Sequence, residues 1–194
     1  MKTIKRSLAS EQLITKSKEV FETQLKQRLN LTKVNAPLFV SKGSGFNDNL
    51  NGIEKPVSFQ LDGIDHEIVH SLAKWKRWYL GELEVEKGKG IVTDMKAIRA
   101  DEELSSIHSH LVDQWDWEKV IARDERSLDT LVTHGIAVFE ALKITEKEMA
   151  TRIGRVVSLP DSLKVLHSEE LYLKHPDLSP KEREHADGPQ RHRS

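Results

Sequence analysis

The chain has 194 residues, 37% of them hydrophobic and 31% charged, and its 30 basic and 31 acidic side chains leave a formal net charge of -1. That length suffices to bury a hydrophobic core without staples, and the flat charge balance argues against a nucleic-acid partner, which draws on a basic excess or stripe. With no cysteine, a disulfide framework, a thiolate zinc site and a cysteine nucleophile are excluded. Basic Met1 to Arg6 is followed by no apolar run of signal-peptide or membrane-spanning length, so the expectation is a soluble cytoplasmic chain with no membrane partner.

In chain order, Ser10 is placed to cap a helix to about Leu29, where Ile14, Phe21, Leu25 and Leu29 form an apolar face. Leu31 to Val40 is β-prone but contains Pro37, which lacks an amide hydrogen and predicts an edge strand or a bend. A turn-rich loop, Lys42-Gly-Ser-Gly-Phe-Asn-Asp-Asn49, follows. Val57 to Leu61 and Glu67 to His70 read as a hairpin around Asp62-Gly63. Ser71 is positioned to cap a short helix from Leu72 to about Leu83. Ile91 to Arg99 and His108 to Trp117 read as two strands joined by an acidic loop.

A long helix is predicted from about Asp124 to Arg152, with Leu128, Leu131, Val132, Phe139, Leu142 and Met149 on its buried side. Thr145 with Glu148 fits a capping box and a break near Ile144. Lys164 to His167 reads as one more strand, with a short helix after Ser168. The order of elements predicts an α+β fold, a mainly antiparallel sheet flanked by helices. From Leu178 to Ser194 only Leu178 and Ala186 are apolar, and the composition predicts a disordered tail.

The most informative segment is Met95 to Glu118. On its second strand Gln114, Asp116 and Glu118 are spaced by two and share a face with His108 and His110, while Asp113, Trp115 and Trp117 face the other way. A row of Gln, Asp and Glu is costly to bury without partners. It fits either a polar substrate pocket with an arginine clamp or a hairpin whose polar face is solvated. His70 to Arg77 puts Lys74, Lys76 and Arg77 near a helix start, which fits an anionic ligand or a surface helix with snorkelling lysines. Gly43-Ser-Gly45 is a weak phosphate signal and otherwise a flexible turn. His108 and His110 lack an evident third metal ligand.

His70-Ser-Leu-Ala-Lys-Trp-Lys-Arg77 and Val112-Asp-Gln-Trp-Asp-Trp-Glu118 resemble the characteristic strings of the ammonia-dependent asparagine synthetase (aspartate–ammonia ligase) family. So do Asp48-Asn-Leu-x-Gly52, Met95-Lys-Ala-Ile-Arg99 and Asn35-Ala-Pro-Leu38, in the family's order and near its spacing, from about Met1 to Glu184. The resemblance implies a catalytic core like that of class II aminoacyl-tRNA synthetases. It also implies a homodimer through the first helix and the strand near Pro37. The implied reaction is ATP-dependent amidation of L-aspartate by ammonia through β-aspartyl-AMP, releasing pyrophosphate and AMP.

The same resemblance implies that Arg99 holds the α-phosphate and the reacting carboxylate, with Asp48 and Gln114 at the reacting end and ammonium on Asp48. Ser71, Lys76 and Asp116 would seat aspartate, and backbone near Ser109, Leu111 and Val112 would hold adenine. Magnesium would balance the triphosphate, its ligands supplied by later residues of the family pattern. Within Lys181 to Ala186 the pattern fades, before the family's glycine-rich motif 3. The expectation is therefore an incomplete core, a partial catalytic domain over 1–177 and a non-family tail over 178–194. The alternative is a non-catalytic remnant that binds aspartate or nucleotide.

Overall fold

The computed structural model describes residues 7–187 except 49, 51, 53 and 105–107. Ser7, in extended conformation, accepts a hydrogen bond from the Ser10 amide and starts α1 (Leu8–Leu29), so the cap lies three residues before the expected Ser10. Lys26 and Arg28 in the last turn suit the negative end of the helix dipole, and left-handed Asn30 ends it. The expected strand from Leu31 to Val40 divides into β1 (Leu31–Lys33) and β2 (Phe39–Ser41), which join different sheets. Pro37, unable to donate to a ladder, lies in the link between them.

The hairpin of β3 (Ser58–Leu61) and β4 (Ile64–Ile68) turns where predicted. Asp62 and Gly63 both take positive φ, 51° and 78°, the pair that a two-residue hairpin of matching twist requires. β2 pairs with the other edge of β4, giving an antiparallel sheet ordered β2-β4-β3.

After α2 (Ala73–Glu82), β5 (Gly90–Ile98) and β6 (Leu111–Lys119) pair antiparallel along their whole length, and β1 adds to β5 in parallel. A side chain at Gly90 would collide with the Glu118 carbonyl and with Leu31, so the close approach of these three strands requires glycine there. The sheet has a hydrophobic core on each face. Leu72 and Trp75 pack with Met95 and Ala97 on one side; Leu25, Leu29 and Val92 pack with Trp115 and Trp117 on the other.

Ser127 caps α3 (Leu128–Ile153), and left-handed Gly154 ends it. The helix runs unbroken through Ile144, because the Thr145 hydroxyl donates to the Ala141 carbonyl instead of capping a new start. It buries Phe139, Ala141 and Ala150, whereas Leu128, Leu131 and Leu142, expected on its buried side, are exposed.

Contacts within the chain divide it into two units after Leu159. In the second unit Lys164 to His167 forms no strand; the His167 ring instead accepts from the Glu169 amide and caps α4 (Ser168–Lys174). α5 (Pro180–Asp187) corrects the expectation of disorder from Leu178. Ser179 opens it by exchanging hydrogen bonds with Glu182, and Arg183 lies over the Tyr172 ring while donating to the His175 carbonyl. Residues 188–194 of the expected tail lie outside the described residues.

Candidate active site

Alternation along β5 and β6 decides which side chains meet α2. Ile91, Thr93 and Met95 stand opposite Glu118, Asp116 and Gln114, and side chains opposite one another in a ladder share a face. From α2, Lys76 reaches Asp116 Oδ2 at 2.5 Å and Arg77 Nε lies 3.4 Å from Glu118. The ammonium of Lys76 is fully buried, and its contact with Asp116 is off the line of a hydrogen bond. A buried charge is costly unless paired and hydrogen-bonded, so this lysine retains three donors with nothing aligned to accept them. The Gln114 amide points at Met95 Sδ, 3.5 Å away, a weak acceptor that leaves most of its hydrogen-bonding capacity unused. Burial pushes the Glu118 carboxyl above the usual range; Arg77 and Lys76 oppose that push and Asp116 adds to it.

A second cluster stands at the start of α2. Ser71 was expected to cap this helix, but Leu72 occupies the cap position without a side-chain bond. The Ser71 hydroxyl donates to Asp48 Oδ2 at 2.9 Å while its oxygen accepts from the Ala73 amide at 3.4 Å, and Lys74 Nζ lies 3.6 Å from Asp48 Oδ1. A hydroxyl can donate to a carboxylate and accept from an amide at once, so Ser71 ties the Asp48 loop to the start of α2.

Arg99 follows β5 and extends the ladder by one step, its amide donating to the His110 carbonyl at 2.8 Å. It is two residues past Ala97, in phase with the face that carries Gln114 and Asp116. Its guanidinium is 3.9 Å from Glu102, and Nε is buried with no hydrogen-bond partner among the described residues. The structure thus joins Lys76 to Asp116 and Ser71 to Asp48, while the ionic partner of Arg99 is Glu102, not Gln114 or Asp116.

Ser109 is exposed just before β6, Leu111 opens the strand exposed, and Val112 packs on the core beside Met95. The backbone of residues 109–112 therefore runs alongside Arg99. His108 and His110 precede β6, so they do not share a strand face as expected; His110 Nδ1 lies 3.1 Å from the Arg99 carbonyl. Among the described residues no three His, Asp or Glu side chains converge as a metal site.

Sequence reasoning missed Asn47, His70, Glu67 and Glu102. Asn47 is buried and bonds the His70 amide, the Ile68 carbonyl and Glu67. Its presence in a Gly-rich loop was the available signal, since Asn in loops commonly bonds nearby backbone. A cavity of about 490 Å³ lies elsewhere, between the end of β6 and the start of α3, walled by Trp117, Ile121, Leu128 and Leu131. It shares only Glu118 with the polar face described above.

Fold and site together define a class: an α+β domain whose central sheet presents a charged, half-buried face to one short helix. The family profile described as aspartate-ammonia ligase matches residues 8–190, and the chain belongs to that family. The match runs on through the stretch from Lys181 to Ala186, where the resemblance was expected to fade, to residue 190. An aspartate–ammonia ligase of Clostridium perfringens (strain SM101) is 49% identical over 181 residues, 91% of this chain and 54% of that protein. Those of Fusobacterium nucleatum and Bacteroides fragilis (strain ATCC 25285) are 47% and 48% identical, over 92% and 89% of this chain and 55% and 51% of theirs. The chain spans about half the length of the curated relatives it matches. A solved structure titled as a pyrrolysyl tRNA synthetase, PylSc of Desulfitobacterium hafniense, overlaps 66% of this chain and 45% of its own. It does so at a TM-score of 0.48 and 19% identity. No helix among the described residues is long and apolar enough to cross a membrane.

Proposed function

We propose that this chain carries the aspartate- and ATP-handling face of an enzyme that amidates L-aspartate with ammonia through β-aspartyl-AMP. The observation that supports it most is a pair of cations, Lys76 and Arg99, with buried N–H donors that no protein acceptor satisfies. In the first step a side-chain carboxylate oxygen of aspartate bonds to the α-phosphorus of ATP as the bond to pyrophosphate breaks. Both reactants are anions, so fixed positive charge in a water-poor site lowers the barrier. In this reading Lys76 holds a substrate carboxylate, with Ser71 and Asp116 helping to seat aspartate. Arg99 bridges the α-phosphate and the attacking carboxylate, and Gln114 orients the reacting end. Backbone at Ser109, Leu111 and Val112 takes the adenine.

In the second step ammonium loses a proton to become a nucleophile. Its nitrogen then bonds to the acyl carbon, AMP leaves with the former carboxylate oxygen, and the nitrogen sheds a second proton to solvent to leave the amide. Asp48 is assigned to hold that ammonium and accept its proton. Magnesium, when bound, would balance the charge of the triphosphate. The same reading carries a homodimer through α1 and the segment around Pro37, where Leu38 is exposed; sedimentation equilibrium tests it.

Incubation with aspartate, ATP and ammonium, followed by assay of AMP, pyrophosphate and asparagine, is the direct test. Product is expected from the wild type, and Arg99→Ala should abolish pyrophosphate release. Near-normal release by that variant removes Arg99 from the mechanism. A melting temperature raised by aspartate without any product would leave a binding domain in place of an enzyme.

A further inference from the structure

We propose that Asn47 is the positioning residue that fixes Asp48 for ammonium, by clamping the loop after β2 to the end of β4. The inference rests on the role assigned to Asp48 above. Asp48 lies outside regular secondary structure, in a stretch that begins with left-handed Gly43 and Gly45. A carboxylate there needs an anchor to meet a small cation at a fixed distance.

Asn47 supplies that anchor with one amide group. Its Oδ1 accepts from the His70 amide at 2.8 Å, while Nδ2 donates to Glu67 Oε2 at 3.2 Å and to the Ile68 carbonyl at 3.4 Å. These partners fix which end of the amide is oxygen: an N–H must meet Oδ1, and a carboxylate and a carbonyl must meet Nδ2. On one side Phe46 packs on the core and against the Trp78 ring, 5.0 Å between centroids. On the other the Asp48 amide reaches the Ser71 carbonyl at 3.4 Å, and the Asp48 carboxylate meets Ser71 Oγ. The clamp holds residues 68 and 70, and Ser71 is the next residue, so Asn47 sets the distance between the two segments that form the Asp48 cluster. Aspartate at position 47 would keep the acceptor for His70 but lose the donor and face Glu67 with a second negative charge.

The test compares the wild type, Asn47→Ala and Asn47→Asp, with Asn47→Asp/Glu67→Gln as a rescue that restores a donor across the 47–67 contact. Steady-state rates are measured with ammonium, aspartate and ATP varied in turn. Asn47→Ala and Asn47→Asp should raise the KM for ammonium by about tenfold and leave those for aspartate and ATP within about twofold, and the double variant should recover most of the loss. An unchanged ammonium KM overturns the proposal; so does an equal rise in all three constants, which would mean a role in folding alone.

If the wild type forms no product, the reading of Asp48 in catalysis fails by itself. The clamp is then tested by amide hydrogen exchange at Asp48. Asn47→Ala should speed that exchange at least tenfold while α2 keeps its protection, and unchanged exchange refutes the clamp. If Asn47→Ala does not fold, Asn47→Asp, of nearly the same volume, gives the same comparison.

Discussion

The two faces of the β1-β5-β6 sheet carry similar charges and satisfy them differently. On the α1 face Lys18 donates to Asp94 and Asp113, at 3.3 and 3.2 Å, and Lys96 lies 3.3 Å from Asp113. Glu22 takes hydrogen bonds from Lys33 at 2.6 Å, Lys26 at 3.2 Å and the Trp115 ring N–H at 3.4 Å. Charges are thus matched by aligned donors and acceptors, and the result joins α1 to the sheet. On the α2 face Lys76 and Arg99 each have an ion-pair partner, yet among the described residues neither Lys76 Nζ nor Arg99 Nε has an aligned acceptor. A buried donor lacking an acceptor lowers stability and is suited to a ligand that supplies one. One face uses charge to hold the fold together; the other keeps it available.

Removing Lys76 tests that contrast with the largest effect. Lys76→Met leaves Asp116 beside an apolar group and should cost about 3–5 kcal/mol in urea unfolding. Adding Asp116→Asn should recover much of that stability without restoring aspartate binding measured by calorimetry. Aspartate affinity unchanged in Lys76→Met would break the comparison.

Glu22→Gln probes the opposite face. It should cost about 1–3 kcal/mol, since a charged acceptor of several hydrogen bonds is lost, and leave aspartate binding unaltered. Burial alone would raise the Glu22 carboxyl, but its bonds from Lys33, Lys26 and Trp115 pull it below the ordinary value of 4.5. Asp113 behaves in the same way: burial pushes it up, and Lys18 and Lys96 bring it below 3.8. A carboxylate with a depressed pKa contributes stability that is present above its unfolded value and lost as pH falls through the folded one. The α1 face should therefore weaken in acid, and Glu22→Gln should flatten that loss.

Glu118 is expected to show the smallest effect and the opposite sign. Its carboxyl is raised above 4.5, chiefly by burial, so its contribution is complete below 4.5 and declines as pH rises through the folded pKa. Glu118→Gln should remove that decline from a series of urea midpoints against pH. A variant whose midpoints fall with rising pH as steeply as the wild type would place the burden on another group.

Much of the site was legible because a strand's two-residue period is local. It put Gln114, Asp116 and Glu118 on one face and Trp115 and Trp117 on the other, and Asp62-Gly63 specified its turn by the same local sterics. What was misread depended on partners far along the chain. Ser71 does accept from the Ala73 amide at the start of α2, yet its hydroxyl hydrogen goes to Asp48, 23 residues earlier. Asn47 gave only a weak signal because its partners lie at the end of β4 and just after it, 20 to 23 residues further along the chain.

By itself, then, the sequence determined the α+β order, the polar and aromatic faces of the 111–119 strand and, through its motifs, the family. Tertiary structure alone decided that residues 31–33 pair in parallel with 90–92 while 39–41 join another sheet, and that Lys76 meets Asp116. It also decided which charged face is fully hydrogen-bonded. Backbone geometry fixes which way neighbouring side chains point, but only the closing of the chain on itself fixes what each one meets.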